Sequence, residues 1–528
     1  MHAQKDIFDY STFGLTKKIK KLEKSEEYFF YKTIFCNINE DNFAPIYCED
    51  NGRPNSPINV LVCAMIIKEK NDWSYAQLFK QIEFNLLTRI SLGLFSLDGM
   101  PFSYRTIFNF QRSLKIYAEQ YGINLFEVVF NDLTAKQLAK LELKTNIART
   151  DSFMVDSNIR SYGRLELLIE VILRFYRILS KKDKDKFLEK FAVYQKKGSQ
   201  HYIYELKGSD ISHEYVKITE AYYWLKTYIS DNYSSTKEYE IFLRVYNEHF
   251  KIDNNNKIKI RDNKELGSGC LQSPDDPDAT FRTKRKKKYH GQVTSITESS
   301  NPDNDINIIV DIVTAPNNID DSILLNDRLS EISKKLPDLE QLHFDGGYGS
   351  EDNDKEMEEI GITPIQTAVR GRKAEVPMTI EVKENDEIEV TCPGQQKKVA
   401  KRTRIRYKVC FDLELCKDCK YKDKCPTRVL KDYRVFYFRD EDVRKTLRHN
   451  NKKYLPPDKQ NNRANVEATI NEFTHHAKGH KLKVRGAFKA SIFAFIVGIA
   501  INFGRIYRYC GENDWKDSII FFFHFLLV

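Results

Sequence analysis

The stretch Ile147–Ser152, with the sequence IARTDS, is a short strand-like run closed by an acidic residue, Asp151, which is predicted to end the first strand. A second run of this kind, Leu342–Asp345 (LHFD), ends in Asp345 and is followed by the glycine-rich segment GGYG. Short apolar runs bounded by turn residues predict buried strands. A glycine directly after a strand lets the backbone turn sharply and leaves room for a ligand beside the carboxylate. The two stretches therefore predict an α/β core with acidic groups on its strands.

A third acidic residue, Glu467, lies inside a helical pattern, Arg463–Thr469 (RANVEAT). Arg463 lies one turn before Glu467 on the same face, where an arginine can bind a phosphate oxygen while the glutamate holds a metal. Strands and packed helices are rigid supports, so carboxylates from distant parts of a chain can surround one small space. Because no His or Cys accompanies them, Asp151, Asp345 and Glu467 predict a site for a hard cation, Mg²⁺ (or Mn²⁺).

The chain is basic, and its positive charge is clustered. Lys and Arg outnumber Asp and Glu by 84 to 75, which gives a net charge of +9. The clusters fall in residues 282–288, 397–408 and 478–489. Three clusters around the acidic residues favour contacts with a phosphate backbone over a merely solvated surface. The residues predicted to contact DNA are Arg105, Arg112, Lys286, Lys287, Lys288, Arg402, Arg404, Lys481 and Arg485.

Half of the ten cysteines lie between Cys392 and Cys425. The pair Cys416 and Cys419, followed by Cys425 and preceded by Cys392, has the spacing of a small knuckle in which four thiolates hold a structural Zn²⁺. We expect this zinc to stabilise the fold of a loop-rich insertion that is too small to build a hydrophobic core. The alternative is a set of free intracellular thiols. Cys410 is not among the four predicted zinc ligands.

The apolar stretches do not predict a membrane span, and no apolar signal region follows Met1. Residues 488–504 include Lys489 and Asn502, so they predict a buried helix. The apolar tail Ile519–Val528 is too short to cross a bilayer, and it predicts packing on the body or association. We expect a soluble intracellular protein.

At 528 residues the chain predicts several domains. Residues 1–140 predict a helical N-terminal domain that binds DNA, with a plain helical packing domain as the alternative. The catalytic core is predicted in three pieces, and the other segments are a helical insertion, a basic Cys-bearing insertion and an apolar tail. The core pieces are 141–160, 263–370 and 456–510. The helical insertion spans 161–262, the basic Cys-bearing insertion spans 371–455 and the apolar tail spans 511–528. With the insertions set aside, the predicted order is three strands, helix, strand, helix, strand, helix. This is the order of the ribonuclease H-like fold, a mixed sheet flanked by helices.

Several stretches taken together resemble bacterial insertion-sequence transposases of the DDE type, over nearly the whole chain. They are Thr150–Arg160, Asp276–Thr280, His343–Gly349, Arg463–Thr469 and Lys483–Gly486. The resemblance implies a ribonuclease H-like core that binds the terminal inverted repeats of its element and cuts and joins double-stranded DNA with Mg²⁺. It also implies that Asp151, Asp345 and Glu467 are the metal-binding triad and that Arg463 assists them. Asp156 is an alternative first ligand, but Asp151 matches the family position.

Two other functions stay open on the sequence. One is a nuclease on the same fold that cleaves DNA without joining it. The other is a catalytically inactive DNA-binding protein derived from a transposase. We expect a homodimer on DNA, located in the bacterial cytoplasm and associated with the nucleoid.

Overall fold

The computed structural model describes most of the chain and defines a mixed α/β protein. The described residues are 19–47, 56–94, 99–255, 257–367, 375–383, 385, 387–453, 455–456 and 462–512. The predicted apolar tail, 511–528, lies almost entirely outside them. The predicted α/β class is confirmed, because helices surround a mixed sheet.

Helices and short 3-10 turns make up the described residues before residue 141. The α-helices are α1 (Ile19–Glu23), α2 (Glu26–Thr33), α3 (Ile58–Lys70), α4 (Tyr75–Phe84), α5 (Leu86–Ser91), α6 (Tyr104–Tyr121) and α7 (Leu125–Lys140). Ser74 and Ser103 cap α4 and α6, each in a capping box. The sequence predicts one helix over 74–87, but Asn85 ends α4 and its side chain caps α5. The helical prediction for this region is confirmed.

The first strand is followed by a helical insertion with a core of its own. The elements are β1 (Ile147–Asp156), α8 (Arg164–Ile178), α9 (Lys181–Glu205), α10 (Ile211–Tyr228), α11 (Lys237–His249), β2 (Phe250–Ile252) and β3 (Ile258–Ile260). Tyr222 and Phe242 stack at 5.1 Å between ring centroids in the middle of this core. The helical pattern 214–250 is divided into α10 and α11 by a 3-10 turn at Ser230–Tyr233.

The central sheet has six strands and is built around β1 and one long strand. Its remaining elements are β4 (Thr280–Lys284), β5 (Lys287–Ser299), β6 (Ile309–Pro316), α12 (Asp321–Lys335), β7 (Gln341–Phe344), α13 (Glu351–Glu359) and β8 (Thr363–Gln366). The strand order is β4-β5-β1-β7-β8, and β6 also pairs with β5. β5 is antiparallel to β1, β4 and β6, whereas β7 is parallel to β1 and to β8.

Strand β4 was not predicted, because residues 282–288 form an almost unbroken run of charge. In the structure β4 and β5 are joined by a two-residue turn, Arg285 and Lys286, with φ of 50° and 68°. Positive φ at both turn residues matches the twist of a hairpin, although Asn-Gly is the usual sequence there.

The Cys-bearing insertion is richer in strands than expected. Its elements are β9 (Thr379–Val382), β10 (Ile388–Thr391), β11 (Lys397–Val399), β12 (Lys401–Arg402), β13 (Tyr407–Asp412), α14 (Leu413–Lys417), β14 (Arg428–Val429), β15 (Tyr433–Phe438) and α15 (Asp440–Lys453). They form a three-stranded and a four-stranded antiparallel sheet. Val390, Val409, Phe411 and Phe438 are buried together. The expectation of a loop-rich segment without a core is therefore wrong, because short strands from two sheets bury a small cluster between them.

Two further helices, α16 (Val466–His475) and α17 (Ala487–Glu512), complete the fold. α17 lies between β6 and the N-terminal helices α3 and α7. Asn502 is 1 % exposed, and its amide exchanges hydrogen bonds of 2.9 Å with the N–H and the C=O of Ile309. A Cβ at Gly498 would lie 2.4 Å from Ile312 Cδ1, so only glycine permits this close approach to β6.

The stretch Ala487–Gly511 is long and apolar enough to cross a membrane, with a mean hydropathy of 1.8, and 72 % of its most apolar window is buried inside the protein. A helix that is apolar on all sides and enclosed by other elements is a core helix. The prediction of a buried helix for residues 488–504 is confirmed.

Candidate active site

Asp151 and Asp345 occupy equivalent positions on two neighbouring parallel strands. In the register of β1 and β7, Arg149 lies opposite His343. Asp345 follows His343 by two residues, directly after β7, as predicted. Asp151 follows Arg149 by two residues but does not end its strand, because β1 continues to Asp156 through its pairing with β5. Because side chains alternate along a strand, Asp151 projects from the same face as Arg149. The structure thus brings the two aspartates together at one point of the sheet.

Each of these carboxylates accepts a hydrogen bond from a nearby backbone N–H. Ser152 N donates to Asp151 Oδ1 at 2.9 Å, and Gly347 N donates to Asp345 Oδ1 at 2.7 Å. Asp151 is 6 % exposed, whereas Asp345 is partly buried. The backbone bonds fix the direction in which each carboxylate points, which is what a preorganised site requires.

A fourth acidic residue, Asp321, lies beside this pair and was missed by sequence reasoning. It is the first residue of α12, it is buried, and Ser152 Oγ donates to its Oδ1 at 2.8 Å. A Cβ at Gly347 would lie 2.9 Å from Asp345 Oδ1 and 3.0 Å from Asp321 Oδ2. Asp at the start of a helix is the ordinary signature of an N-terminus. The sequence held one signal of a further role for Asp321. Asp320 already caps α12, so the helix start does not need a second acid.

The side chain of Tyr348 lies fully buried near Asp151 and Asp321. Its hydroxyl lies 3.0 Å from Ser295 Oγ. Burial raises the pKa of Tyr348 well above its ordinary value, and the charges of Asp321 and Asp151 raise the pKa further. The phenol therefore stays protonated and remains a hydrogen-bond donor among the acids.

The chain segment from Asn462 to Phe473 covers the sheet face that carries Asp151. Arg149 Nη1 donates to Asn462 O at 2.9 Å, and the rings of Phe153 and Phe473 meet edge to face with centroids 5.0 Å apart. Asp151 lies midway between Arg149 and Phe153 on β1, on the same face. The segment therefore passes over Asp151.

Glu467 lies within this segment, in the first turn of α16. It is exposed together with Asn471, whereas Val466 and Phe473 on the other side of the helix are buried. α16 thus has a buried apolar side and an exposed side that carries Glu467. Glu467 lies on the open side of the covering helix and not in the contact between helix and sheet.

A buried polar network holds α16 in place. Glu298 accepts hydrogen bonds from Arg149 Nε at 2.7 Å, Thr469 Oγ1 at 2.7 Å and Arg505 Nη1 at 2.8 Å. The Arg149 and Glu298 side chains are 4 % and 0 % exposed. A carboxylate that joins a strand, the covering helix and α17 ties the position of Glu467 to the sheet.

The predicted triad does not form a closed metal site. Within the described ranges, no group of three or more His, Cys, Asp or Glu side chains is close enough to hold a metal ion. Arg463 lies in a short 3-10 helix, Asn462–Asn465, that leads into α16. Asp151 and Asp345 are adjacent, and Glu467 lies across the same face on the covering helix.

Three other acidic residues from the sequence motifs have structural roles. Asp156 ends β1, and its Oδ1 accepts from His290 N at 2.7 Å. It lies an odd number of residues from Asp151, so the two side chains point to opposite faces of the strand. Asp276 accepts from Gly486 N at 2.9 Å, and Asp278 accepts from Ala487 N at 2.8 Å. These two acids anchor the start of α17.

The basic residues predicted to contact DNA fall into four places. Lys286, Lys287 and Lys288 form the exposed tip of the β4–β5 hairpin. Arg105 and Arg112 are exposed on α6, and Arg404 is exposed after β12. Arg402 makes a two-pronged ion pair with Asp440 at 2.7 and 2.8 Å. Lys481 donates to Ile159 O at 3.0 Å, and Arg485 donates to Asn158 O at 2.6 Å, so both are held against the segment after β1.

The cysteines predicted to bind zinc lie far along the chain, in the Cys-bearing insertion. Cys392, Cys416, Cys419 and Cys425 all line one cavity. Cys410 is exposed on β13 and is not part of the cavity lining.

Comparison with known protein families gives two matches. Residues 387–507 match the family model described as transposase DDE domain, and residues 19–113 match the model described as transposase domain (DUF772). The first match includes Glu467 and the four cavity cysteines, and the second includes Arg105 and Arg112. No curated protein and no solved structure matches the chain. Transposases act on DNA, and a DDE domain implies a nuclease or transferase activity that generally uses divalent metal ions. The two matched regions are similar to transposase domains, and they support the resemblance to insertion-sequence transposases of the DDE type.

Proposed function

We propose that this chain binds the terminal inverted repeats of its element as a homodimer and catalyses metal-dependent cleavage and strand transfer of double-stranded DNA. The observation that carries the proposal is the adjacency of Asp151 and Asp345 on two parallel strands, under the helix that bears Glu467. Two acids on neighbouring strands and a third on the helix that covers them are the kind of donors that a phosphoryl-transfer site uses. The family matches support the same activity.

We propose a ribonuclease H-like core for this chemistry. The order β6-β5-β1-β7-β8, with antiparallel pairing among the first three strands and parallel pairing among the last three, supports this fold. In an open sheet of this kind, groups that follow neighbouring parallel strands meet in one crevice. Asp345 follows β7, and the β1–β7 register sets it beside Asp151, which lies inside β1.

The donor set fits a hard divalent cation. Asp151, Asp345 and Glu467 would hold Mg²⁺ or Mn²⁺ through oxygen atoms, with no thiol or imidazole among the proposed ligands. Bound there, the cation would supply a Lewis acid that activates water or a DNA 3′-hydroxyl and stabilises the leaving oxygen. The protein itself orients the acids, because Ser152 N and Gly347 N hold the carboxylates of Asp151 and Asp345.

Asp321 is proposed as a positioning residue. It accepts the Ser152 hydroxyl at 2.8 Å, and Ser152 N in turn holds Asp151. Arg463 is proposed to bind a phosphate oxygen beside the acids, since an arginine fork matches phosphate geometry. The exposed lysines at the β4–β5 hairpin tip are proposed to contact the DNA backbone, which carries most of the affinity of a DNA-binding protein.

The test compares Asp151→Asn, Asp345→Asn and Glu467→Gln with Asp156→Asn as the matched control. Each of the first three is expected to lose cleavage and strand transfer on linear DNA that carries the element ends, by at least about a thousandfold. DNA affinity should stay nearly unchanged, because it comes from phosphate contacts. Asp156→Asn should stay active, since an amide oxygen still accepts from His290 N.

Three results would contradict this proposal in different ways. Near-normal cutting by one of the triad variants removes that residue from the site. Free breaks without joined product identify a nuclease that does not transfer strands. Binding without any cutting by the unmodified chain, with Mg²⁺ or Mn²⁺ supplied, identifies an inactive DNA-binding protein.

A further inference from the structure

The cavity lined by four cysteines joins two segments that the chain separates. Its volume is about 480 Å³, and Cys392 lies in the turn between β10 and β11. Cys416 lies in α14, and Cys419 and Cys425 follow in the turns before β14. The cavity therefore lies where the three-stranded sheet meets the four-stranded sheet of the insertion.

Two of the sulfur atoms flank one glycine from opposite segments. A Cβ at Gly394 would lie 3.2 Å from Cys419 Sγ and 3.6 Å from Cys392 Sγ. The glycine leaves the space into which both sulfurs point. A side chain at position 394 would contact both sulfur atoms.

Hydrogen-bond donors are directed at three of the sulfurs. Gln396 N lies 3.4 Å from Cys392 Sγ, and Gln396 Nε2 lies 3.3 Å from Cys416 Sγ. Thr427 Oγ1 lies 3.3 Å from Cys425 Sγ. Donors around sulfur stabilise thiolates and orient them, as the outer groups of metal sites do. Gln396 also bonds Asp412 N at 2.8 Å through its Oε1, so it ties the turn of Cys392 to the segment that leads to Cys416.

We propose that Cys392, Cys416, Cys419 and Cys425 bind one structural Zn²⁺. Four thiolates form the tetrahedral soft-ligand set that zinc prefers, and they differ in kind from the carboxylates of the sheet. Within the described ranges, no three of these sulfurs lie close enough together to hold a metal ion. Binding would draw in the turns after α14, which join β13 to β14 with little regular structure. The ion would join the two small sheets, whose shared core is small.

The zinc would act on the rest of the protein through α15. Val443 of α15 belongs to the buried cluster of the insertion. Arg448 of the same helix donates to Ser350 O at 3.1 Å and pairs with Asp354, just after the glycine-rich loop of Asp345. The geometry of the insertion is thus connected to one side of the candidate active site.

The experiment measures the metal content of the full chain purified without added zinc. We expect one zinc per chain, and about one cobalt with a tetrathiolate absorption spectrum after exchange into Co²⁺. Cys419→Ser and Cys416→Ser should lose most of the zinc, whereas Cys410→Ser, an exposed thiol on β13 outside the cavity, should keep it.

Several outcomes would overturn the proposal. They are a full chain without zinc, an unchanged zinc content in Cys419→Ser, and a chain mass lower by two hydrogens that reports a disulfide in the insertion. If the serine variants do not fold, the cobalt spectrum of the unmodified chain decides, because four thiolates and fewer thiolates give different spectra. None of these readouts depends on DNA cleavage, so they are separate from the test of the transposase activity.

Discussion

Gly347 and Gly394 occupy comparable positions in two very different regions, the acidic site on the central sheet and the cysteine cavity of the insertion. A Cβ at Gly347 would lie 2.9 and 3.0 Å from two carboxylate oxygens, and one at Gly394 would lie 3.2 and 3.6 Å from two sulfurs. Both regions thus use a missing side chain to let candidate ligands approach the backbone. They differ in what holds them, since the sheet has buried ion pairs and large clusters, whereas the insertion has one small cluster.

If zinc binds as proposed, we expect the sheet region to fold without metal and the insertion to gain stability from one. A metal that binds only the folded form contributes its binding free energy to stability. The acidic site needs metal for chemistry, while the geometry of its strands and of α16 is fixed by the protein.

Breaking the Glu298 network should produce the largest loss of stability in the sheet region. Glu298→Gln removes the charge that Arg149 and Arg505 share, and leaving buried charge uncompensated costs about 3–5 kcal/mol. The free energy of unfolding, measured by denaturant titration at pH 7, checks this. The matched control is Glu331→Gln at the exposed pair with Lys334, where the loss should stay below about 0.5 kcal/mol. Equal losses in the two variants would contradict the assignment of the network as the anchor of α16.

The second prediction concerns Gly347. Gly347→Ala should lower DNA cleavage by about a hundredfold, because the added Cβ must displace Asp345 or Asp321, and a shift of about 1 Å at a reacting centre has that effect. The cleavage rate at saturating metal measures it. Gly163→Ala is the control, since nothing lies within 4 Å of a Cβ there and its φ of −67° suits alanine. Full activity of Gly347→Ala would show that the spacing of these carboxylates does not matter.

Acid should weaken the sheet region through a buried histidine. Burial lowers the pKa of His343 from 6.5 to about 4, and the charge of Arg149 adds to this. The unfolded chain then binds the proton more readily than the folded chain, so stability falls as the pH drops from about 6.5 towards about 4. The loss at pH 5 is about 2 kcal/mol from this residue. His343→Gln should flatten the stability curve measured between pH 7 and pH 5, and an unchanged slope would contradict the buried neutral imidazole.

The smallest predicted effect is that of Gly394→Ala on zinc affinity at the cysteine cavity. Gly394→Ala places a Cβ at 3.2 Å from Cys419 Sγ, a contact that the sulfur relieves by moving a few tenths of an ångström. Zinc affinity, measured by competition with a chelator, should fall by less than about tenfold, which corresponds to about 1.4 kcal/mol. A loss as large as that expected at Gly347 would mean that the cavity is as rigid as the sheet site.

The strands and helices of the core were largely predictable from the sequence. β1, β5, β6 and β7, together with α12 and α13, follow from apolar alternation, helical periodicity and turn residues. The adjacency of Asp151 and Asp345 also follows, because parallel neighbours in a sheet hold their residues in register, although Asp151 lies inside β1 and not at its end.

Other features depend on long-range contacts that a single sequence does not reveal. The strand β4 and the short strands of the insertion are rich in charge and gain their order from pairing, so alternation does not mark them. The burial of Asp321 comes from the packing of α12 against Ser152. The outward position of Glu467 results from the way Thr469 and Phe473 anchor α16. The catalytic role of the triad and the domain boundaries stay predictions.

The position of α17 between the sheet and the N-terminal helices has a consequence for synthesis of the protein. Asn124 at the start of α7 bonds Ser491 of α17 across 367 residues of chain, and both belong to elements of one buried cluster. A ribosome that adds about 5–20 residues per second needs roughly 20–70 s to make that interval. Throughout this time the apolar surfaces of α3 and α7 that α17 later covers are without that helix. A chaperone that shields them during translation should therefore raise the yield, and a fragment that stops at residue 140 should aggregate.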